Sequence, residues 1–410
     1  MKLSTIAARN IFRNKRRSVL SAIAIAVAAM AITLLFSLLA GMKADLAYNL
    51  QTYVSGEVRI RNPRFTEHET VNPLHLALDA PAELVETAAA TEGVSSLAPR
   101  VRFPGSVFVD DENYNAVGIG LDFAREQDYQ SVGDRLTAGR IPASGERAAV
   151  LGTGLAAELG LGLGDSFTVL TQTATRGSNA MTFEVAGLAR FPVSAFTETH
   201  FLIPLDTAQY FLRMPDQVTD LLVKTTGDTD PVETAAALES TLGGLSETPL
   251  VAESWTRLRT SYSFMEIADM TYAIMALFFF VLGSSVIVNT TMMVIYERTR
   301  EIGTLSAMGM EGGQLIRMFF IEAVMIAAAG AAAGVLLGIA ITAPFSVLGL
   351  DMGASFEGID FEVSNVLYPK INLRSTVFVF VYSVTVAALA SLLPSRRAAR
   401  VSPAEALRSL

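Results

Sequence analysis

Four long apolar runs stand out in the pattern of hydrophobic and polar positions. Ser18–Met42 is almost uninterruptedly apolar, and at about 1.5 Å rise per residue a helix of this length crosses a hydrocarbon core about 30 Å thick. A cleaved signal peptide would share the basic residues before this run, but its apolar region would be only about 7–15 residues long. Three later runs have the same character: Tyr272–Val294, Met318–Ile341 and Val377–Leu393. The pattern therefore predicts four transmembrane helices.

The long segment between the first two runs alternates strand-like and amphipathic helical patterns, which predicts a folded α+β domain. The predicted strands are Gly56–Arg61, Val101–Val109, Asn115–Leu121, Ala148–Leu151, Ser166–Thr171, Thr182–Leu188, His200–Pro204 and Asp220–Lys224. The predicted helices are Pro81–Ala90, Gly154–Leu159, Asp206–Leu212 and Pro231–Leu242, the last with Asp230 as its N-cap. The pattern leaves open whether 139–204 is a sub-domain inserted into a sheet formed by the strands before and after it.

Helical patterns adjoin this segment at both ends. Lys43–Tyr53 continues the first apolar run, and Ser254–Asp269 leads into the second without proline or glycine. These junctions are either rigid stalks that carry the spans outward or simply amphipathic connections, and the sequence favours neither.

Composition and charge agree with a membrane protein that has a large folded part outside the bilayer. Of the 410 residues, 51% are hydrophobic and 17% are charged, with a mean hydropathy of +0.41. The formal net charge is −9, and the basic residues cluster beside the apolar runs, which excludes the broad basic surface of a nucleic-acid-binding protein. The chain contains no cysteine, which excludes disulfides and cysteine metal sites.

The basic clusters predict the topology, because lysine and arginine near span ends favour the cytoplasmic side. With four crossings all of these residues lie on one face: Arg9, Arg13, Lys15, Arg16, Arg17, Arg298, Arg300, Arg317, Arg396, Arg397 and Arg400. Both termini are therefore expected in the cytoplasm. The predicted organisation is a basic segment at 1–17, transmembrane helices at 18–42, 270–294, 318–341 and 377–393, an extracytoplasmic α+β domain with stalk helices at 43–269, a cytoplasmic loop at 295–317, an extracytoplasmic loop at 342–376 and a cytoplasmic tail at 394–410.

The third span has two features of its own. Gly330, Gly334 and Gly338 recur every fourth residue, and small residues at this spacing let membrane helices approach closely, so we expect a packing face. Glu322 lies inside the same span, where an ionised carboxylate near the bilayer centre would cost roughly 2.5–3.5 kcal/mol. We therefore expect it to face protein or the interface, as a structural contact and not as part of a proton path.

Catalytic and metal-binding patterns are absent from the sequence. His68, His75 and His200 are the three histidines, and none has a second ligand at metal-site spacing. The sequence also lacks the nucleophile elbow, the zinc-protease motif and the phosphate-binding P-loop. We expect a non-enzymatic chain with no catalytic residues, no metal site and no cofactor of its own.

The loop Tyr296–Phe319 combines both charge signs with a small apolar face. Glu297, Arg298, Arg300 and Glu301 precede Ile302, Leu305 and Met308 at helical spacing, and glycines follow at 309, 312 and 313. Such a segment suits a helix that docks on a partner at the membrane surface, but a plain juxtamembrane turn fits equally well on physical grounds.

Several motifs resemble a known family. The run from Glu297 to Gly309, continued by Glu322-Ala323 and the glycines at 330 and 334, resembles the signature of FtsX-like permease domains in ABC transporters of the MacB/LolC/LolE type. The run from Pro394 to Arg408 is similar to the closing motif of those domains. Gly139-Arg-Ile-Pro and the stretch from Val150 to Asp165 resemble the MacB-like periplasmic core.

The resemblance implies a role for the cytoplasmic loop and a set of partners. It implies that the loop couples the permease to a cytoplasmic ABC ATPase dimer, which would bind ATP and magnesium, and that a second permease copy or a paralogue completes the assembly. Lipoproteins or periplasmic proteins are the implied substrates or partners, in the inner membrane of a bacterium. The implied ATPase-coupling residues are Glu297, Arg298, Arg300, Glu301, Ile302, Gly303, Leu305, Ala307 and Gly309.

The resemblance also implies a function. Because the sequence holds no P-loop, the ATPase is expected on a separate chain, and its ATP hydrolysis would move the outer domain to release or export lipoproteins or other envelope substrates. The length, the four spans and the single large outer segment favour a LolC/LolE-like permease. The alternative is an FtsX-like mechanical regulator of an envelope hydrolase or sensor.

Overall fold

The computed structural model describes residues 7, 9, 11–13, 15–109, 112–227, 229–246, 248–297, 304–305, 308–352 and 366–398. The helices are α1 Lys15–Asn49, α2 Pro63–Glu67, α3 Ala82–Ala89, α4 Phe123–Tyr129, α5 Thr153–Leu159, α6 Ser194–Thr199, α7 Leu205–Leu212, α8 Pro231–Leu242, α9 Arg259–Glu297, α10 Gly312–Leu348 and α11 Leu373–Ala398. The strands are β1 Val58–Arg61, β2 Leu78–Asp79, β3 Val94–Val109, β4 Glu112–Leu121, β5 Leu136–Gly139, β6 Ala148–Gly152, β7 Ser166–Gln172, β8 Ser178–Ala189, β9 His200–Pro204, β10 Gln217–Val218, β11 Asp220–Thr225, β12 Val251–Ser254, β13 Leu350–Asp351 and β14 Val366–Leu367.

The chain forms two compact units. One comprises Met1–Ala44, Ile267–Leu350 and Leu367–Leu410, and the other comprises Asp45–Glu266 and Asp351–Val366. Among the described residues, four helices are long and apolar enough to cross a membrane, over Ser18–Ser55, Met265–Met293, Gly312–Leu348 and Leu373–Leu392. The prediction of four transmembrane helices and a large α+β domain between the first two is confirmed.

The two junctions between spans and domain differ. α1 continues past the first apolar run to Asn49 and then as a π-helix over Leu50–Ser55, in line with the helical pattern at Lys43–Tyr53. At the other junction the helical pattern over Ser254–Asp269 forms helix only from Arg259, where α9 begins. Ser254 ends β12, where it pairs with Val58 of β1, and the Arg257 N–H donates to the Ser254 carbonyl over 2.8 Å in a turn. Strand pairing therefore overrides the helical pattern at this junction.

In the α+β domain, one sheet holds ten of the described strands. Six of them close into a ring, because β3 pairs with β4, β4 with β9, β9 with β6, β6 with β8, β8 with β7, and β7 with β3 again. β11, β1 and β12 extend the sheet from β3, and β5 pairs with β8. The strands of 139–204 therefore belong to the same sheet as the strands before and after that interval.

The interior of the ring is a cluster of aromatic side chains. Phe103, Phe167, Phe183 and Phe201 are fully buried there, together with Phe211 from α7. Their ring centroids lie 5.8–6.5 Å apart, mostly edge to face, which is the favoured geometry for aromatic pairs. A Cβ at position 118 would lie 2.2 Å from the Phe103 ring, so glycine there makes room for the cluster. The ring of strands thus encloses a packed core.

Candidate functional site

The three glycines of α10 lie against α1. A Cβ at position 330 would be 2.5 Å from the Ala22 carbonyl oxygen, and a Cβ at position 334 would be 2.2 Å from the Ala26 carbonyl oxygen. At position 338 a Cβ would lie 2.9 Å from the Cβ of Thr33. The two backbones can approach this closely because the glycines carry no side chain.

Glu322 lies on the same helix and is buried, with 3% of its surface exposed. It therefore faces protein and not lipid, as expected for an ionisable residue inside a span. Among the described residues, no group of three histidine, aspartate or glutamate side chains is placed to hold a metal ion.

α9 contacts α1 and α11 through aromatic side chains. The rings of Phe280 and Tyr382 are 4.4 Å apart, and the Tyr382 hydroxyl donates to the Phe280 carbonyl over 2.8 Å. The Phe280 ring also lies 5.3 Å from that of Phe36 on α1. Other apolar side chains of α9, such as Leu277 and Phe278, are exposed and so are available to lipid.

The predicted ATPase-coupling residues are only partly described. Glu297 is the last residue of α9. Leu305 and Gly309 are described, whereas Arg298, Arg300, Glu301, Ile302, Gly303 and Ala307 lie outside the described residues.

The described end of this loop is a helix terminus. The Met310 N–H donates to the Leu305 carbonyl over 3.1 Å, and Gly309 between them has a φ of +91°. This is a Schellman motif, in which a left-handed glycine ends a helical turn. Leu305 and Met310 both pack against Leu315, Met318 and Phe319 at the start of α10, together with Ala7. Leu305 and Met310 therefore hold the described part of this loop against the start of α10, and Met308 between them is 76% exposed.

In the α+β domain, the Gly139-Arg-Ile-Pro motif forms a turn held by one carboxylate. Glu146 accepts from Arg140 Nη1 and from the Ala143 N–H, each over 2.8 Å. These contacts, with the Arg140 hydrogen bond as the largest cause, lower the pKa of Glu146 to about 2. Gly139 has a φ of +83°, which a residue with a side chain rarely adopts. The motif therefore has a structural role at the end of β5.

The three histidines have protein neighbours. His200 is buried and stacks on the Phe196 ring at 3.9 Å, and its Nε2 lies 3.3 Å from Arg102 Nη2. His75 Nε2 lies 2.9 Å from Arg176 Nη2, and desolvation followed by the Arg176 charge lowers the pKa of His75. His68 Nδ1 lies 3.2 Å from the Arg64 carbonyl oxygen.

Sequence reasoning missed a buried ion pair near the end of α1, between Arg100 and Glu126. The available signal was an arginine at position 100 in a strand whose neighbours are apolar. A second signal was Asp122, which predicts as an N-cap the start of α4, the helix that carries Glu126.

Comparison with known proteins matches both parts of the chain. Residues 18–241 match the MacB-like periplasmic core domain, and residues 273–403 match the FtsX-like permease C-terminal domain. The lipoprotein-releasing system transmembrane protein LolC of Xylella fastidiosa is 25% identical over 365 residues, which cover 86% of this chain and 87% of that protein. LolC of Neisseria meningitidis is 26% identical over 311 residues, covering 70% and 72%.

Two further matches cover smaller parts of the chain. The macrolide export ATP-binding/permease protein MacB of Hahella chejuensis is 34% identical over 127 residues, which cover 31% of this chain and 17% of that protein. The crystal structure of the periplasmic region of MacB from Actinobacillus actinomycetemcomitans aligns with 55% of this chain and 97% of that one, with 14% identity and a TM-score of 0.37.

The first family model covers more than half of the chain, and the second covers most of the rest. The expected resemblance is confirmed. The chain belongs to the family of proteins with a MacB-like periplasmic core domain and an FtsX-like permease C-terminal domain, and it is a multi-pass permease subunit of an ABC transporter.

Proposed function

We propose that this permease releases lipoproteins from the inner membrane of a bacterium, driven by ATP hydrolysis on a separate ATPase. The observation that carries the proposal is the alignment with LolC proteins over 86% of this chain and 87% of the relative. Those relatives are transmembrane proteins of lipoprotein-releasing systems. A match of this extent includes the spans and the outer domain together.

In the proposed mechanism the chain transmits movement from the ATPase to the α+β domain and catalyses no reaction itself. An ATPase dimer in the cytoplasm, which binds ATP and magnesium, pushes on the loop from Glu297 to Gly309. The motion passes through the membrane helices to the α+β domain, which acts on cargo outside the bilayer. A second copy of the chain or a paralogue completes the complex. Two features support this account: Leu305 and Met310 pack against the start of α10, and α1 is continuous through the bilayer-length run.

The test is purification of the permease with its ATPase. The charge swap Glu297→Lys with Arg298→Glu should abolish co-purification and ATP-dependent lipoprotein release, because it reverses both signs at the proposed docking site without changing the net charge. A matched control is Glu239→Lys with Arg257→Glu, which swaps two exposed charges of the α+β domain. An intact complex with normal ATP turnover after the first swap would contradict the proposed coupling site.

A second candidate function is mechanical regulation of an envelope hydrolase or sensor. It is favoured by the match of residues 273–403 to the FtsX-like permease domain, which does not specify a transported cargo. Crosslinking from the outer domain in cells separates the two candidates. Capture of lipoproteins supports release, whereas capture of a hydrolase without lipoproteins supports regulation.

A further inference from the structure

The end of α1 within the α+β domain has an unusual capping arrangement. α1 passes into the π-helix Leu50–Ser55, and the chain then turns at Gly56, which has a φ of +69°. The last carbonyls of a helix have no partner within it and must be satisfied by water or by side chains. Leu50, Thr52, Tyr53 and Ser55 are buried, so partners within the protein are needed for the carbonyls of this segment.

Side chains donate hydrogen bonds to the backbone carbonyls of four successive residues, from Leu50 to Tyr53. The Ser55 hydroxyl donates to the Leu50 carbonyl over 3.1 Å, within the helix. The Tyr129 hydroxyl, from α4, donates to the Gln51 carbonyl over 3.1 Å. Arg100 Nη1, from β3, lies 3.4 Å from the Thr52 carbonyl oxygen and 3.3 Å from that of Tyr53. Three of the four carbonyls are therefore held by residues outside the helix.

The arginine is itself fixed on its other side. Arg100 Nε donates to Glu126 Oε1 over 2.6 Å and Nη2 donates to Oε2 over 3.0 Å, a bidentate pair in which Arg100 is 4% and Glu126 0% exposed. The Arg100 Cζ also lies 5.2 Å from the centre of the Tyr129 ring. Burial alone would lower the pKa of Arg100, but the Glu126 carboxylate outweighs burial and raises it.

α4 is held in place from both ends. Asp122 caps its first turn, since its Oδ1 accepts from the Ala124 N–H over 3.0 Å and from the Arg125 N–H over 3.3 Å. At the other end Lys224 Nζ donates to the Tyr129 carbonyl, and Nζ lies 4.9 Å from the centre of the Tyr129 ring. Glu126 and Tyr129 are thus fixed on a rigid element.

Stability alone does not account for this pair. A buried ion pair is often no more stabilising than well-packed apolar residues, because both charges must leave water. Only a guanidinium can bind a carboxylate bidentately and still donate to backbone carbonyls from its remaining N–H groups. What the pair adds over apolar packing is a fixed orientation of the helix end.

We propose that Arg100, Glu126 and Tyr129 form a clamp that makes the end of α1 a rigid part of the α+β domain and passes the motion of α1 to β3 and α4. The three are positioning residues, and the proposal rests on the proposed function because the motion is the one that the ATPase drives. Without the clamp the last turn of α1 would unwind, and the motion of α1 would not reach β3 and α4.

The experiment uses hydrogen exchange on the full permease with its ATPase in lipid nanodiscs. Tyr129→Phe removes one hydrogen bond to the helix and leaves the ring, and Tyr114→Phe is the control because it removes an exposed hydroxyl that contacts Glu112. Loss of one hydrogen bond worth about 1 kcal/mol should speed exchange over Leu50–Ser55 about fivefold, with β9 unchanged. Arg100→Lys, which keeps the charge and loses the bidentate pair, should have a larger effect.

Transmission is measured as the nucleotide-dependent change in exchange over β3. The wild type and Tyr114→Phe should show this change when ATP is trapped, and Tyr129→Phe should show less than half of it with ATP turnover unchanged. Unaltered exchange over Leu50–Ser55 in Tyr129→Phe would contradict the clamp. Transmission through the clamp would be contradicted if the nucleotide-dependent change in exchange over β3 were as large in Tyr129→Phe as in the wild type, or if no protein, the wild type included, showed it. Failure of the proposed function is a separate result, namely a normal β3 change in the wild type without lipoprotein release.

Discussion

At the scale of single residues, the contact between α1 and α10 depends on the lack of a side chain at Gly334. A methyl group there would lie 2.2 Å from the Ala26 carbonyl oxygen, a backbone atom that cannot move aside alone. The helices would have to separate, and neighbouring contacts such as Ala29 and Ile326 in the apolar cluster would loosen. The glycine therefore sets the distance between the two helices.

Gly334→Ala should destabilise the membrane unit by about 1–3 kcal/mol, the usual cost of overpacking. The control is Gly313→Ala on the same helix, where a Cβ would meet nothing within 4 Å. Alanine is a better helix former than glycine, so the control should be neutral or slightly stabilising. Thermal unfolding in detergent measures both, and equal midpoints for the two variants would contradict the packing role.

Glu146 supplies a pH-dependent contribution to the α+β domain. Its pKa is lowered from 4.5 to about 2 in the folded state, first by Arg140 and then by the Ala143 N–H. A carboxylate with a depressed folded pKa stabilises the fold above the unfolded pKa, and this contribution is lost as pH falls through the folded value. Glu146→Gln should lower the unfolding midpoint at pH 7, and the difference should shrink between pH 4.5 and pH 2. A difference that is constant over this window would contradict the assignment.

At the scale of elements, the loop between α9 and α10 has at Gly309 a backbone conformation that residues with a side chain rarely adopt. Gly309→Ala should destabilise the helical turn, because a φ of +91° costs a residue with a Cβ about 1 kcal/mol. The Met310 amide, which closes the motif on the Leu305 carbonyl, should exchange about fivefold faster. An unchanged Met310 exchange rate would mean that the motif does not hold the loop.

Most elements of the α+β domain could be predicted from local pattern. The helix Pro231–Leu242 and the strand His200–Pro204 have the predicted ends, the helix because Asp230 and Pro231 mark its start. α4 was missed although Asp122 caps it, since its seven residues show little periodicity. The closed ring of strands could not be predicted, because its closure depends on β3 meeting β7 and β4 meeting β9, which are far apart in sequence.

In the candidate site too, the sequence predicts some features and not others. The glycine spacing in α10 predicted a packing face but did not show which helix contacts it. The structure places Ala22, Ala26 and Thr33 of α1 opposite this face. Arg100 and Glu126 are 26 residues apart, and no sequence spacing predicts their pairing. The coupling residues from Arg298 to Gly303 lie outside the described residues, so their role stays a prediction from the family resemblance.

At the scale of the whole molecule, the topology prediction places both termini in the cytoplasm and 43–269 outside. The chain has no cysteine, so each introduced cysteine is a unique label. In intact cells, a membrane-impermeant maleimide should label Ser240→Cys on α8, which is exposed, and should label Ser4→Cys and Ser409→Cys only after permeabilisation. Labelling of one terminus from outside would mean an odd number of crossings.

The central claim is that this chain transmits movement that is driven by ATP hydrolysis on a separate ATPase. The most direct measurement is lipoprotein release from proteoliposomes that contain the permease with its ATPase, followed together with phosphate production. The account predicts release that requires ATP hydrolysis, with no hydrolysis by the permease alone, and loss of both association and release in the Glu297→Lys, Arg298→Glu variant. Release without ATP, or ATP hydrolysis by the isolated chain, would contradict it.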